Sequence, residues 1–332
     1  MSEYTSEGLI CKGVGGQYLV RLSSDGDHPL AGLSVTCAAR GRFRHAGLTP
    51  LCGDHVRVLY TDASFTRADD GTVTVDPNRT DFVITDVMER KNTFIRPAMA
   101  NLDSMIIVCS VSHPQTPLLT LDKLTAIAVH NDISPLILIS KSDLDPDKAR
   151  ELSDLYRSLG FDTLAISLKD GTNREALEEA LKTHLTGKIS CLCGASGVGK
   201  SSLVNALFPH LNQKTGEISR KNRRGKNTTR EITLFDLSDY GYANGWLADT
   251  PGFSMIDFEH FDFMKVDDLV HAFPEFEPYL YTCRYVDCAH VKEEGCTVLK
   301  AVQDGIIPRS RHDSYAALYA VLKEKKPWNT GS

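Results

Sequence analysis

The chain has no apolar run long enough to span a bilayer. Its longest, Ser104–Val111 (SMIIVCSV) and Ser134–Ser140 (SPLILIS), are strand-sized, whereas a spanning helix needs about 20 such residues. The N-terminal MSEYTSEG has neither a basic head nor an apolar segment, so no signal peptide is expected. Net basic charge is also missing: 37 Lys and Arg face 43 Asp and Glu, giving −6. That excludes nucleic-acid binding by bulk charge alone and leaves it to local basic segments. An even cysteine count is lacking too. Nine cysteines without an export signal argue against a disulfide framework and for reduced thiols and metal ligation. No internal repeat or low-complexity tract is present. What remains, 332 residues with 42% hydrophobic and 24% charged, is ordinary globular composition with room for two or three domains.

Up to about residue 92, apolar and polar residues alternate between turn residues. Gln17–Leu22, Leu33–Ala39, Asp54–Tyr60, Gly71–Asp76 and Asp81–Val87 read as short strands at hairpin spacing, which predicts a small β-barrel. Asn92–Asp103 reads as a linker. Beyond it, apolar strands at Ser104–Val111, Pro135–Ser140, Asp162–Ser167 and Lys188–Gly194 alternate with amphipathic helices at Leu121–Asp132, Asp147–Gly160 and Arg174–Leu185. Such alternation predicts a parallel sheet with crossover helices. The strands Glu231–Ser238 and Gly245–Gly252 follow, and the chain from about Phe263 reads as helical.

The stretch CLCGASGVGKSSLVNALF (Cys191–Phe208) contains G-x-x-x-x-G-K-S from Gly194 to Ser201, between a strand and a helix. This context marks a phosphate-binding loop. Gly194, Gly197 and Gly199 let backbone N–H groups turn inward, so that Gly194, Ala195, Ser196, Gly197, Val198 and Gly199 wrap the phosphates. The helix N-terminus, with Ser202, adds partial positive charge. Lys200 is expected to reach the β- and γ-phosphates and Ser201 to ligate Mg²⁺. Further on, LADTPGF places Asp249 at a strand end. There it is expected to hold Mg²⁺ indirectly, with the Gly252 N–H on the γ-phosphate.

Guanine readers carry N-K-x-D at a strand end. Here LILISKSDL supplies Ser140, Lys141, Ser142 and Asp143 in that setting. The Asp143 carboxylate would accept hydrogen bonds from N1–H and the 2-amino group of guanine. Adenine offers neither, which argues against a mere ATPase or kinase. The Lys141 stem would pack on the base, and Ser167 and Lys169 would lie beside it. The motif order is therefore base reader, base loop, phosphate loop, threonine switch (Thr228, Thr229), D-x-x-G. This is a GTPase order that has been circularly permuted, a change that moves the termini and leaves the site intact.

Cys283-x₄-Cys288-x-His290-x₅-Cys296 supplies three thiolates and one imidazole. That set makes a closed, structural tetrahedral zinc site. Cys11, Cys37, Cys52, Cys109, Cys191 and Cys193 lie mostly in apolar strands and are expected in the core.

With IRPAMANLD, GASGVGKSSL, RRGKNTTR, ADTPGF, CRYVDCAHVKEEGC and AVQDGIIPRSRHDSY in this order, the chain resembles the ribosome small-subunit-dependent GTPase A family (RsgA, also called YjeQ) over nearly its whole length. The resemblance implies a multi-domain protein: an OB-fold RNA-binding domain over 1–92, a circularly permuted α/β P-loop GTPase over 93–262, and a zinc-binding helical domain over 263–332. It implies late maturation of the small ribosomal subunit, with subunit-stimulated hydrolysis of GTP to GDP and phosphate and release afterwards. Expected partners are that subunit and its rRNA, with no membrane; a cytoplasmic monomer is expected. Two positions depart from the family pattern. Ser140 stands where members carry Asn and is expected to lose one polar contact, about 1 kcal/mol. Asn227 stands where members carry a His before the paired threonines, and Phe253 replaces the Gln of other GTPases. Asn227 can orient a water but cannot accept its proton. Slow hydrolysis is compatible with this, because phosphoryl transfer rests mainly on positioning and charge. The other reading is a GTP- and RNA-binding paralogue with little hydrolysis, a placeholder on the ribosome.

Two basic segments offer RNA contacts. Ala39–Gly47 interleaves Arg40, Arg42, Arg44 and His45 with Phe43. This fits backbone contacts plus one stacking residue, or else a solvated hairpin. The switch segment carries Lys214, Arg220, Lys221, Arg223, Arg224, Lys226 and Arg230. Phosphate-bound Thr228 or Thr229 would order it, and hydrolysis would release it.

Overall fold

Side chains that alternate between a shared interior and solvent build the N-terminal barrel. The computed structural model describes residues 2–25, 28–41, 43, 48–69, 72–76, 81–95, 98–209, 211, 232–249 and 264–324. The chain divides into two units. One is Met1–Leu102 with Leu185–Cys191 and Gln213–Ile256; the other is Asp103–His184 with Leu192–Asn212 and Asp257–Ser332.

In the first unit, β1 (Glu3–Val14), β2 (Gln17–Leu22), β3 (Ser34–Ala39) and β4 (His55–Thr61) precede a small pair, β5 (Thr66–Arg67) and β6 (Val73–Thr74), and then β7 (Phe82–Val87). Antiparallel pairs β1–β2, β2–β3, β4–β7 and β1–β4, with the parallel pair β3–β7, close a five-stranded barrel. Ile10, Val20, Val56, Val58, Phe82 and Ile84 fill it. The strand that closes it, β1, is the one sequence reading does not find. Its sequence EYTSEGLICKGV is broken by Gly8 and Gly13, so it shows no clean alternation. Those interruptions suit its role. Glu3–Leu9 pairs with β4 while Gly8–Val14 pairs with β2, across a register shift between Ile10 and Lys12. A Cβ at Gly8 would sit 2.6 Å from Val20 Cγ1 and 2.8 Å from the Arg21 carbonyl oxygen, so only glycine permits this approach. Phe43 is buried in the barrel core, which removes it as the expected stacking residue. Asn92–Asp103 is more than a linker: β8 (Thr93–Ile95) pairs antiparallel with β9 (Ala98–Ala100). Amides fasten the ends of this hairpin. Asn92 Nδ2 donates to the Leu102 carbonyl at 2.8 Å and Asn101 Nδ2 to that of Gly53 at 2.9 Å.

In the second unit, β10 (Ser104–Ser110), β11 (Ser134–Ser140) and β12 (Asp162–Ala165) run parallel in the order β12-β11-β10. Each is followed by a helix: α1 (Leu118–His130), α2 (Pro146–Ser158) and α3 (Arg174–Leu185). Every residue of β10 is buried, as expected of a parallel strand covered on both faces. α2 begins where Asp145 accepts the Lys148 N–H and Pro146 takes the first turn, which supplies both the cap and the preset φ. The chain beyond each strand leaves at the carboxyl edge of the sheet, where open α/β sheets bind ligands.

β13 (Ile189–Cys193) leads to α4 (Lys200–Leu207). In the first unit its early residues pair parallel with β15 (Trp246–Asp249), which is antiparallel to β14 (Thr233–Asp236). The C-terminal segment is helical, as expected, but its first half is 3₁₀ helix, at Val266–Ala272 and Pro274–Tyr279. α5 (Thr297–Gln303) and α6 (Arg309–Glu324) follow.

Arg311 of α6 is fully buried. Its guanidinium donates to Asp122 Oδ1 at 2.7 Å and Thr125 Oγ1 at 3.1 Å on α1, and to Glu275 Oε1 at 2.6 Å. Its carbon lies 4.5 Å from the Phe273 ring centroid. Tyr156 of α2 donates to the same Asp122 oxygen at 2.6 Å, and the other Asp122 oxygen is buried without a partner among the described residues. The Asp122 charge therefore depends on Arg311. Removing one partner of such a pair leaves an uncompensated buried charge, which costs about 3–5 kcal/mol. Arg311→Ala is expected to lower stability by that amount in urea unfolding followed by circular dichroism; an unchanged midpoint would deny the cluster any structural weight.

Candidate nucleotide and metal sites

The phosphate loop is shaped by its glycines. Gly194 has φ +132°, and a Cβ there would lie 2.1 Å from the Val108 carbonyl oxygen, so the loop can pass β10 only as glycine. Gly199, at φ +104°, is the N-cap of α4 and supplies no side-chain cap. The N–H groups of the first turn are left to a ligand, and the helix dipole favours an anion. Lys200 Nζ donates to the Gly194 carbonyl at 2.8 Å and to that of Ala195 at 2.7 Å. Burial holds its pKa below the ordinary lysine value. Ser196, Ser201 and Ser202 are exposed.

The end of β11 is tied to this loop. Ser140 Oγ lies 2.6 Å from the Val198 carbonyl oxygen and 2.8 Å from that of Cys109. One hydroxyl hydrogen is thus shared between two carbonyls. The expected loss of a polar contact at this position is therefore offset: the short side chain reaches both neighbours. Lys141 adopts the left-handed conformation, φ +58°, and its Nζ donates to the carbonyls of His113 at 2.6 Å and Gly197 at 3.0 Å. A non-glycine residue in that region is held there by its surroundings. Beside this tie opens a cavity of about 260 Å³, lined by Lys141, Asp143, Ser167 and Lys169, by Ser140, Val198 and Gly199, and by Ser202 of α4. Ser142 does not line it. Its N–H donates to the Ile166 carbonyl at 3.2 Å, and its hydroxyl is buried without a partner among the described residues. Ser167 Oγ accepts the N–H groups of Lys169 at 3.3 Å and Asp170 at 3.4 Å, which turns the chain at the cavity rim.

Sequence reading missed the segment after β10. The His113 carbonyl accepts Lys141, and the Pro114 ring borders Gly197, where a Cβ would lie 3.2 Å from its Cδ. The only local signal was a proline shortly after a strand. Asn227, Thr228, Thr229 and Gly252 lie outside the described residues, as do the basic switch segment and Arg42, Arg44 and His45; Asp249 ends β15, and its side chain is likewise outside.

The cysteine–histidine cluster assembles as its spacing predicts. Ligand atoms of Cys283, Cys288, His290 and Cys296 all lie within 4.8 Å of one another. His290 Nδ1 is 3.4 Å from Cys296 Sγ and 3.6 Å from Cys283 Sγ, and the two sulfurs are 3.9 Å apart. Burial lowers the His290 pKa and so favours the neutral, ligating imidazole. Burial alone would raise the Cys283 thiol, but hydrogen bonds with Thr297 bring it below the ordinary value. His312 Nε2 donates to the His290 carbonyl at 2.8 Å and Tyr315 to that of Ala289 at 2.9 Å, so α6 holds the loop. The donor set and its spacing fit one small ion that takes sulfur and nitrogen ligands. The six other cysteines are buried.

A phosphate loop entering a helix, with a guanine-reader motif that precedes it in sequence but is bound to it in space, defines a circularly permuted P-loop GTPase. An N-terminal closed barrel and a C-terminal Cys₃His loop accompany it. The RsgA GTPase family model matches residues 87–259, and the RsgA N-terminal domain model matches 7–64. Proteins named small ribosomal subunit biogenesis GTPase RsgA are similar along the whole chain. The one from Alkaliphilus metalliredigens is 35% identical, covering 97% of this chain and 99% of its own; that from Geobacillus kaustophilus is 37% identical with the same coverage. Crystal structures of YjeQ from Thermotoga maritima (29% identity, TM-score 0.73, 97% of this chain and 100% of that one) and of YloQ, a circularly permuted GTPase (30%, 0.72, 98% and 97%), share the fold. The chain belongs to the RsgA GTPase family and is a GTP-hydrolysing enzyme.

Ser140→Ala removes the hydroxyl from two buried carbonyls. GTP binding is expected to weaken roughly tenfold, about 1.4 kcal/mol, in a titration with a fluorescent GTP analogue; unchanged affinity would show that Lys141 suffices. Elemental analysis of the purified chain is expected to find one metal ion per molecule. Cys288→Ser is expected to lose it while GTP binding persists.

Proposed function

We propose that this GTPase serves late maturation of the small ribosomal subunit. It binds the subunit with GTP, hydrolyses GTP to GDP and phosphate under stimulation by the subunit, and leaves after hydrolysis. The observation that carries this reading is the guanine-reader strand end bound to the phosphate loop through Ser140 and Lys141, in a chain of which 97% matches relatives named for small-subunit biogenesis. Asp143 would accept N1–H and the 2-amino group of guanine, with the Lys141 stem on the base face and Ser167 and Lys169 at the cavity rim. Backbone N–H groups of Gly194–Gly199 and the Lys200 ammonium would hold the phosphates in line for attack. Mg²⁺, when bound, supplies charge neutralisation at the β- and γ-phosphates. Ser201 is the residue suited to ligate it, and the sequence motifs assign Asp249 and Gly252 the supporting roles. Thr228 and Thr229 would close the switch and Asn227 would orient the attacking water.

The ion of the Cys₃His loop is proposed to be zinc, with a structural role. Zinc bonds of about 2.3 Å to sulfur and about 2.0 Å to nitrogen set tetrahedral ligand edges of roughly 3.5–3.8 Å. The 3.4 to 3.9 Å separations among the ligand atoms of Cys283, His290 and Cys296 support that choice. Residues 1–92, 93–262 and 263–332 are assigned to RNA contact, GTP turnover and metal binding. The protein is expected to act as a cytoplasmic monomer on rRNA of the subunit. No helix of the described residues is long and apolar enough to cross a membrane. Asn227, which cannot accept a proton, favours a second reading: a GTP- and RNA-binding placeholder with little hydrolysis.

Turnover with and without purified small subunits separates the two. Stimulation by subunits, abolished in Lys200→Ala and not competed by ATP, is expected. Subunit binding without any rise in turnover would establish the placeholder.

A further inference from the structure

The turn that follows β10 is closed by its own hydroxyls. Ser110, the last residue of the strand, is buried, and so is Thr116. The Ser110 N–H donates to Thr116 Oγ1 at 3.0 Å, and the Thr116 N–H donates back to the Ser110 carbonyl at 3.0 Å. The Ser110 hydroxyl donates to the Ser112 carbonyl at 2.6 Å and accepts the Ser112 N–H at 3.3 Å. Residues 111–115 are therefore pinned at both ends by bonds made away from water, where a hydrogen bond is strongest. The crown of the turn is different: His113, Pro114 and Gln115 are exposed. Exposed loop residues ordinarily wander. Here the buried base of the turn fixes where its crown lies.

The crown holds Lys141. The His113 carbonyl, in the middle of the pinned span, accepts Lys141 Nζ at 2.6 Å, and the Gly197 carbonyl accepts it at 3.0 Å. These contacts are exposed to solvent. A lysine side chain gives up much rotamer freedom to keep one geometry in water, and Lys141 also keeps a left-handed backbone, φ +58°. Both are retained where the acceptors are placed in advance. One acceptor belongs to the phosphate loop. The other is placed by Ser110 and Thr116. Lys141 lines the cavity beside Asp143, whereas neither Ser110 nor Thr116 does. The two hydroxyl residues thus set the position of a cavity wall that they do not touch.

We propose that Thr116 and Ser110 are positioning residues for the guanine nucleotide: they fix the His113 carbonyl, and that carbonyl fixes Lys141. This rests on the reading above, in which the base lies against the Lys141 stem. Thr116→Val removes the acceptor of the Ser110 N–H and keeps the shape; Thr116→Ser keeps the acceptor. The full chain is titrated with fluorescent GTP and GDP analogues, turnover is followed at rising GTP, and circular dichroism checks folding. Thr116→Val is expected to weaken GTP and GDP binding alike, about fivefold. KM is expected to rise with it while kcat stays within about twofold. Thr116→Ser is expected to bind as the unsubstituted chain does. In a Lys141→Ala background, Thr116→Val is expected to add less than about twofold, because its route is already cut. Should Thr116→Val fail to fold, Ser110→Ala, which frees the Ser112 carbonyl, carries the same expectations for GTP, GDP, KM and the Lys141→Ala background. Unchanged affinity in the folded variant overturns the proposal. So does a fall in kcat at unchanged KM, which marks a structural role alone. A loss confined to GTP assigns the effect to the γ-phosphate end and overturns it as well. Failure of Thr116→Ser to restore binding, or an undiminished loss in the Lys141→Ala background, has the same consequence. If the unsubstituted chain binds ATP as tightly as GTP, the guanine reading fails first and this inference with it.

Discussion

Two adjacent carbonyls of the phosphate loop, those of Gly197 and Val198, are held by two adjacent residues at the end of β11. Lys141 takes the first and Ser140 the second, across 56 and 58 residues of chain. This tie holds the end of β11 at a constant spacing from the phosphate loop, as a nucleotide spanning the two would require, because its own base-to-phosphate distance is limited by covalent geometry. Lys141 accepts a left-handed backbone to make it, and the segment after β10 supplies the third support through the His113 carbonyl. The cavity beside Asp143, Ser167 and Lys169 exists because these three strand ends are joined there. A permuted chain order is harmless under this constraint, since the tie is made by contacts and not by the order in which they are reached.

A buried cation organises the rest of the same unit. Arg311 gathers α1, the 3₁₀ segment at Glu275 and, through Asp122, Tyr156 of α2. The next residues of α6, His312 and Tyr315, grip the carbonyls of His290 and Ala289 in the metal loop. One helix therefore anchors the Cys₃His loop and seals itself to the helix that follows the His113 segment. Charge placed so deeply is a demanding choice: paired it is tolerated, and unpaired it is among the most costly groups a core can hold. That asymmetry makes the arrangement specific, because no shifted packing of α6 would satisfy Asp122 and Glu275 together.

How much of this was legible beforehand depended on whether the signal was local. The phosphate loop needs closely spaced glycines (Gly194, Gly197, Gly199) and a following Lys-Ser, so it was written in eight residues. The metal loop has the same character: its ligands lie within fourteen residues, 283–296, and their spacing alone predicts that they meet. The buried parallel strands were evident as unbroken apolar runs. β1 was not, because a strand that bends to serve two edges needs glycine where a flat one shows alternation. Phe43 was misread for a related reason: a Phe amid arginines looks exposed until the barrel turns it inward.

The sequence by itself determined the candidates: which segments carry the residue patterns suited to phosphate, guanine and a metal, and that the strands around them form a barrel and a parallel sheet. These follow from residue type and short spacing, which act through local geometry. Only the tertiary structure decided that Ser140 reaches two carbonyls, that His113 and Pro114 meet Lys141 and Gly197, that Ser142 turns away from the cavity beside them, and that Arg311 is the buried anchor of the C-terminal helices. None of these has a local signature. Each depends on a partner tens of residues or more away, and a hydrogen bond or ion pair is judged by distance and desolvation, quantities that come into being only when the chain has folded.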